Sequence, residues 1–232
     1  MVVYNLHVAL CAINGFLSLP AVTGNIVVAL AVKNLSSVQT PSLTLLKTLF
    51  ASDLRIGLVV QPLYILGLSA VFSEVLSKSH CYIATAHHFT AILFGFVSLG
   101  TNSIISADRL LACHLTIRYR SAITTRHVTI AITAVWLLAF LLAIMALTNV
   151  RFYFLTESSI RFSVAAFTTA SYFQTNRKFL RAKKATQGQC STNTNHAPSN
   201  RYIFNTSKYQ RSLYSMMYVY AAFLVCYAPF FL

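Results

Sequence analysis

Apolar runs of about twenty residues, separated by polar breaks, organise this chain along its length. Roughly 18 or more mostly apolar residues are enough for a helix to cross the hydrocarbon core of a bilayer. By that measure spans are expected over 7–32, 43–72, 82–111, 128–148, 152–173 and 213–232. The second is long enough to tilt or to kink at Pro62. The fifth is interrupted by Arg151, Glu157 and Arg161 before its apolar stretch from Phe162 to Phe173. The sixth is still running at Leu232. A span in lipid must satisfy its backbone hydrogen bonds internally, and the period-2 alternation of a barrel is absent, so each span is read as a helix. The expected fold is all-α, a polytopic transmembrane helix bundle forming a single domain over 1–232, with one long polar loop at about 175–210. No internal repeat is visible, so an inverted-repeat transporter has no support.

Composition agrees with lipid as the solvent. The chain has 232 residues, 56% hydrophobic and only 9% charged, against about 25% charged in soluble domains. A net charge of +14 would point to nucleic acid in a soluble protein. Here the bases are segregated between apolar spans rather than striped with aromatics, so no nucleic-acid partner is expected. Most of the eighteen Lys and Arg fall after spans one, three and five, whereas Lys78, Arg151 and Arg161 are the bases after spans two and four. The positive-inside rule then makes the odd loops cytoplasmic and puts the N-terminus outside. The start lacks a basic region followed by a small-residue cleavage site, so the first span acts as its own insertion signal. Cys11, Cys81, Cys113, Cys190 and Cys226 form no CxxC pair, and no metal site is expected.

The polar residues inside the spans are the informative ones, because an ionisable group at membrane depth is costly without a partner. Asp53, one of only four carboxylates, lies within span two, and Asn25 lies within span one. In span three, Ser98, Asn102 and Arg109 share one helical face. Asn25, Asp53, Ser98 and Asn102 therefore fit one buried cluster, either a small-cation site or a hydrogen-bonded packing network without an ion. His87 and His88 sit near the outer end of span three. Adjacent helical residues diverge by about 100°, so they line a cavity rather than chelate a metal together. Four dispersed acids assemble no catalytic dyad or triad, and an enzyme is not expected. Asp108 and Arg109 close span three side by side, and Pro229 places a kink inside span six.

In order along the chain, Gly24-Asn25, Ala51-Ser52-Asp53-Leu54, Asp108-Arg109-Leu110, Ile117-Arg118-Tyr119, Trp136 and Phe223 with Cys226-Tyr227-Ala228-Pro229 resemble the motifs of the rhodopsin-like (class A) G-protein-coupled receptors. The resemblance implies a seven-helix receptor fold of which about six helices are present, in the plasma membrane. It implies that an extracellular small-molecule or peptide ligand signals to a heterotrimeric G protein through movement of the sixth span about Pro229. Asp108 would restrain Arg109 at rest, and Tyr119, Tyr172, Phe223 and Tyr227 would take part in the switch. Asp53 with Ser98 would bind sodium. His87, His88 and Ala91 would line the ligand cavity. Ala91 stands where amine receptors of this family carry an aspartate, which disfavours an amine ligand.

Departures from the family pattern are also legible. Arg55 is an unexpected charge at membrane depth, expected to snorkel or to pair with a carboxylate. Cys81 has no cysteine between spans four and five to pair with, the outer loop there is nearly absent, and the fifth span looks truncated. The motif of a seventh span is missing, so the chain reads as truncated before it. The competing expectation is a non-signalling receptor-like protein that acts as a partner of a full-length receptor.

Overall fold

The computed structural model describes residues 2–34, 41–70, 77–115, 119, 123–148 and 150–192. All of span six, with Phe223, Tyr227 and Pro229, lies outside the described residues. Among the described residues the secondary structure is entirely helical. The helices are α1 (Val2–Asn34), α2 (Pro41–Arg55), a π-helical turn (Ile56–Val60), α3 (Gln61–Ala70), α4 (Ser77–Leu115), α5 (Thr125–Thr148) and α6 (Val150–Thr192). Among the described residues three segments are long and apolar enough to cross a membrane: Val8–Ala31, Cys81–Ala112 and Thr125–Thr148. They reproduce the expected first, third and fourth spans.

Each boundary has a local cause. The start of α5 is fixed by Thr124, whose side-chain oxygen accepts the backbone N–H of His127 at 3.5 Å and whose carbonyl accepts that of Val128 at 3.3 Å, the arrangement that satisfies orphan donors at a helix start. The second span departs from regular α-helix in the turn before Pro62. Pro62 offers no N–H, and its ring crowds the carbonyl four residues back. The helix relaxes into the π turn Ile56–Val60, with the Gln61 N–H donating to the carbonyl of Ile56.

The fifth span requires a correction. In place of a truncated helix and a loop from about 175, α6 runs unbroken from Val150 to Thr192, 43 residues. Only Asn149 separates it from α5. The segment after Phe173 is polar, but it is rich in Lys, Arg, Ala and Gln, all strong helix formers, and contains no Pro. Apolarity measures the capacity to cross lipid, whereas helix propensity persists into water. At about 1.5 Å per residue the helix is roughly 65 Å long, about twice the hydrocarbon thickness.

The chain divides into two compact units. The first comprises residues 1–105 and 121–164. Its core is Ile92, Phe96 and Val97 of α4 against Ala139, Leu142, Ala143 and Ala146 of α5. Small residues set the helix spacing, as is usual where lipid supplies no hydrophobic drive between helices. A Cβ at Gly100 would stand 2.7 Å from a Val135 methyl, and one at Gly57 2.7 Å from a Val22 methyl. Phe16, Leu19, Val27, Leu137 and Leu141 are exposed, the pattern of a surface solvated by acyl chains. The second unit comprises residues 106–120 and 165–232. Its described buried residues are largely polar: Ser106, Asp108, Thr168, Ser171, Tyr172 and Thr175.

Candidate functional site: two buried acids

In the first unit, Asp53 points from α2 to α4, where the Ser98 hydroxyl donates to its carboxylate at 2.5 Å. Ser98 is 1% exposed and Asn102, one turn further along α4, is 4% exposed, so the polar face expected from their spacing is buried. Asn25 does not complete the cluster through its amide, which donates to the carbonyl of Ala21 in its own helix at 2.7 Å. Ser52, beside Asp53, likewise returns its hydroxyl to Leu49. Asp53 thus has one hydrogen-bond partner among the described residues. A carboxylate and a hydroxyl are the hard oxygen donors that suit a small cation.

Among the described residues Arg55 pairs with no carboxylate. Its guanidinium donates to the carbonyl of Ala51 at 2.9 Å and lies 6.0 Å from the ring centre of Phe94. Both contacts let an exposed arginine keep its charge at the edge of an apolar helix. Phe94 in turn meets Trp136 edge-on, with ring centres 6.3 Å apart. The Gln61 side-chain oxygen, at the end of the π turn, is buried without a hydrogen-bond partner.

Towards the start of α4, His87 and His88 are half-buried, as is Ala91 one turn on. His87 packs against Tyr64 of α3, ring centres 5.4 Å apart. No group of three or more metal-ligating side chains occurs among the described residues. Arg161 of α6 lies 5.6 Å from the ring centre of Phe96 on α4. The sequence marked Arg161 as an interruption of an apolar run, and its aromatic partner carried no signal of its own. Cys81 is exposed and unpaired.

In the second unit, Asp108 and Arg109 form an ion pair, with 3.5 Å between the guanidinium Nη2 and a carboxylate oxygen. Arg109 shares a helical face with Ser98 and Asn102, which predicts it as the inward member of the pair. The structure reverses the ranking, with 4% of the Asp108 side chain exposed against 15% for Arg109. Tyr119 adds to its cover, its hydroxyl donating to the other carboxylate oxygen of Asp108. Asp108 is therefore covered on one side by a cation and on the other by a phenol. Tyr172, on α6, is 3% exposed.

At the end of α4, His114 meets Lys178 of α6, the ammonium 2.7 Å from both ring nitrogens. One residue earlier on α6, the Arg177 guanidinium stacks over Phe173 at 4.9 Å. Neither contact was foreseen, because a helical register across residues 174–178 was not expected.

Comparison with known proteins bears on the whole set. Residues 24–152 match the family described as 7 transmembrane receptor (rhodopsin family). Among curated proteins, the chain is 30% identical to adenosine receptor A3 of Canis lupus familiaris over 131 residues, covering 55% of this chain and 39% of that receptor. It is 34% identical to adenosine receptor A2b of Bos taurus over 126 residues, 52% of this chain and 34% of the receptor. It is also 30% identical to dopamine receptor 4 of Caenorhabditis elegans over 122 residues, 53% and 23% of the two chains. The matched region thus spans well under half of each relative. Residues 24–152, matched by the family, contain Asn25, Asp53, Ser98, Asn102, Asp108, Arg109 and Tyr119.

Proposed function

This chain belongs to the rhodopsin family of 7 transmembrane receptors, and from that premise we propose that it passes an extracellular ligand signal to a heterotrimeric G protein at the end of α4. The observation that carries the reading is the Asp108–Arg109 pair, in which the buried Asp108 is capped by Tyr119. An ion pair withdrawn from water is held firmly only while both partners stay in place, because removing one leaves the other uncompensated at a cost of about 3–5 kcal/mol. That makes the pair a two-position element. With Asp108 in contact, Arg109 is engaged within its own helix; with the contact broken, the guanidinium is free to meet an acceptor on a G protein. Tyr172, Phe223, Tyr227 and Pro229 join this switch on the strength of the family resemblance. The plasma membrane follows from the family resemblance, and the charge distribution supports an N-terminus outside with the end of α4 in the cytoplasm.

Ligand entry belongs to the opposite end of α4, by His87, His88 and Ala91. Of the ligand kinds in the relatives' names, an adenosine-like nucleoside suits this chain better than a catecholamine. Ala91 offers no carboxylate for an ammonium, while the tilted His87–Tyr64 ring pair offers stacking and hydrogen-bonding surface to a heterocycle. Asp53 and Ser98 take a sodium ion as an exchangeable partner, in keeping with their two hard oxygen donors.

The test is G-protein nucleotide exchange in membranes containing the chain, with an adenosine analogue and dopamine as probe ligands. Arg109→Ala should lose exchange at least tenfold while leaving analogue binding within about threefold. Exchange that is insensitive to Arg109 would sink the receptor reading. Stimulation by dopamine but not by the nucleoside would overturn the ligand class alone.

A further inference from the structure

We propose that Arg55 is an intramembrane docking charge, and that the exposed face of the second span takes a membrane-spanning helix of another protein carrying a carboxylate at mid-depth. This goes beyond ligand and G protein, and does not depend on whether the chain signals.

The depth of Arg55 is fixed by its neighbours rather than by its own helix. Its guanidinium lies 6.0 Å from the ring centre of Phe94, and Phe94 meets Trp136 edge-on with ring centres 6.3 Å apart. Phe94 is the fourteenth of the 32 residues of Cys81–Ala112, and Trp136 the twelfth of the 24 residues of Thr125–Thr148. Both segments are long and apolar enough to cross a membrane, so their middles stand near the bilayer midplane and Arg55 stands with them. About 15 Å of hydrocarbon separates that plane from either headgroup layer, farther than an arginine side chain can extend. Snorkelling serves bases near helix ends and is closed to this one. A lipid phosphate does not reach down to meet it either.

The charge is incompletely compensated where it stands. Arg55 is exposed. Of the five N–H donors of a guanidinium, one goes to the Ala51 carbonyl at 2.9 Å, and no carboxylate pairs with it among the described residues. An exposed cation in hydrocarbon needs an anion. The four acids of the chain do not supply it. Asp53, two residues away, lies on a different face of the helix and takes the Ser98 hydroxyl. Asp108 is held by Arg109 and Tyr119. In the sequence, Glu74 falls in the polar break before the third span and Glu157 ahead of the apolar stretch from Phe162. A second copy of this chain thus brings no mid-span acid to the contact, and the partner is a different membrane protein.

The surface beside Arg55 suits a helix. Leu58, Val59, Pro62 and Leu66 are exposed and follow Arg55 by three, four, seven and eleven residues, the spacing of one seam along a helix. An apolar helix laid on that seam would bring a single acidic side chain to the guanidinium, where a forked, charge-assisted pair can form.

The experiment is fluorescence energy transfer between the whole chain, reconstituted in phosphatidylcholine vesicles, and dilute spanning peptides of leucine and alanine. The peptides carry Asp, Asn or Leu at the midpoint, or Asp two turns away from it. The midpoint Asp peptide should associate about tenfold more tightly than the Leu peptide, which is what one strong interhelical polar contact contributes in lipid. The Asn peptide and the off-centre Asp peptide should fall close to the Leu level. Arg55→Leu should abolish the preference, Arg55→Lys should keep part of it, and Arg55→Glu should transfer it to a peptide with Lys at the midpoint. Arg126→Gln, an exposed base at the start of α5, should change nothing. Circular dichroism on each variant separates lost association from lost helix. Equal association of the Asp and Asn peptides, or a preference that survives in an Arg55→Leu variant of normal helicity, would overturn the proposal. Displacement of the peptide by an equal amount of oleate would give the site to a lipid carboxylate, and Arg55-dependent transfer between two copies of the chain would give it to self-association. Either result overturns it as well.

Discussion

Asp53 and Asp108 are the same side chain in two different settings, and the contrast between them organises the molecule. Asp53 sits within the second span and receives a single hydroxyl, from Ser98. The nearest base in sequence, Arg55, is turned to Ala51 and Phe94 instead. Asp108 sits at the end of α4 with a guanidinium from the next residue and a phenol from Tyr119. A carboxylate withdrawn from water needs a compensating charge. Asp108 has one built into the chain, whereas Asp53 has only part of one. In the proposed function the first arrangement is the switch, whose partner can be pulled away, and the second the place for an exchangeable ion.

Perturbing each acid's surroundings should therefore have different consequences. Arg109→Ala carries the largest expected effect, because it strands Asp108. Besides the loss of exchange, the variant should unfold about 3–5 kcal/mol more easily in denaturant titrations in detergent. An unchanged midpoint would mean that Asp108 does not depend on its cation.

Ser98→Ala and Tyr119→Phe each remove one hydrogen bond to a buried carboxylate, worth about 1.5–3 kcal/mol. Ser98→Ala should fall at the upper end of that range in choline chloride, since Asp53 then has no described partner left, and at the lower end in sodium chloride. Tyr119→Phe should be indifferent to the choice of cation. The same sodium dependence in both variants would erase the distinction between the two acids.

Gly57→Ala probes the scaffold next to Asp53 without touching a charge. Its Cβ would meet a Val22 methyl at 2.7 Å, an overpacking cost of about 1–2 kcal/mol. Thermal unfolding should register it, while basal nucleotide exchange stays at the wild-type level. Smallest of all is Asp53→Asn, which removes the charge but keeps the shape and the hydrogen-bond capacity. Stability in choline should change by less than about 1 kcal/mol, and the midpoint should no longer rise with added sodium. A persistent sodium effect would place the ion elsewhere.

Much of this contrast was readable in the sequence, because lipid narrows the choices. Apolar runs had to be helices, and Ser98 and Asn102 had to share the buried face of α4. That Asp53 and Ser98 belong to one polar cluster followed from both being polar at membrane depth, and their pairing was implied by the family resemblance. Asn25 escaped the same logic because an asparagine amide can turn back on its own helix, and Ala21 supplied the acceptor. Pro62 announced a bend but not that the strain would be taken up at Ile56–Val60. The length of α6 was hidden because hydropathy stops at the membrane surface whereas the helix does not. The depth of Asp108 was misjudged because helical phase locates a side chain on its own helix only. Tyr119, which caps Asp108, comes from eleven residues further along.

The restraint of Arg109 by Asp108 is tested most directly by epistasis in basal nucleotide exchange, with no ligand present. Asp108→Asn removes the counter-charge and should raise basal exchange several-fold. Asp108→Asn combined with Arg109→Ala should return it to background, because the released guanidinium is the group that acts. Basal exchange that does not rise in the single variant, or that stays raised in the double variant, would contradict the assignment of the pair as the switch.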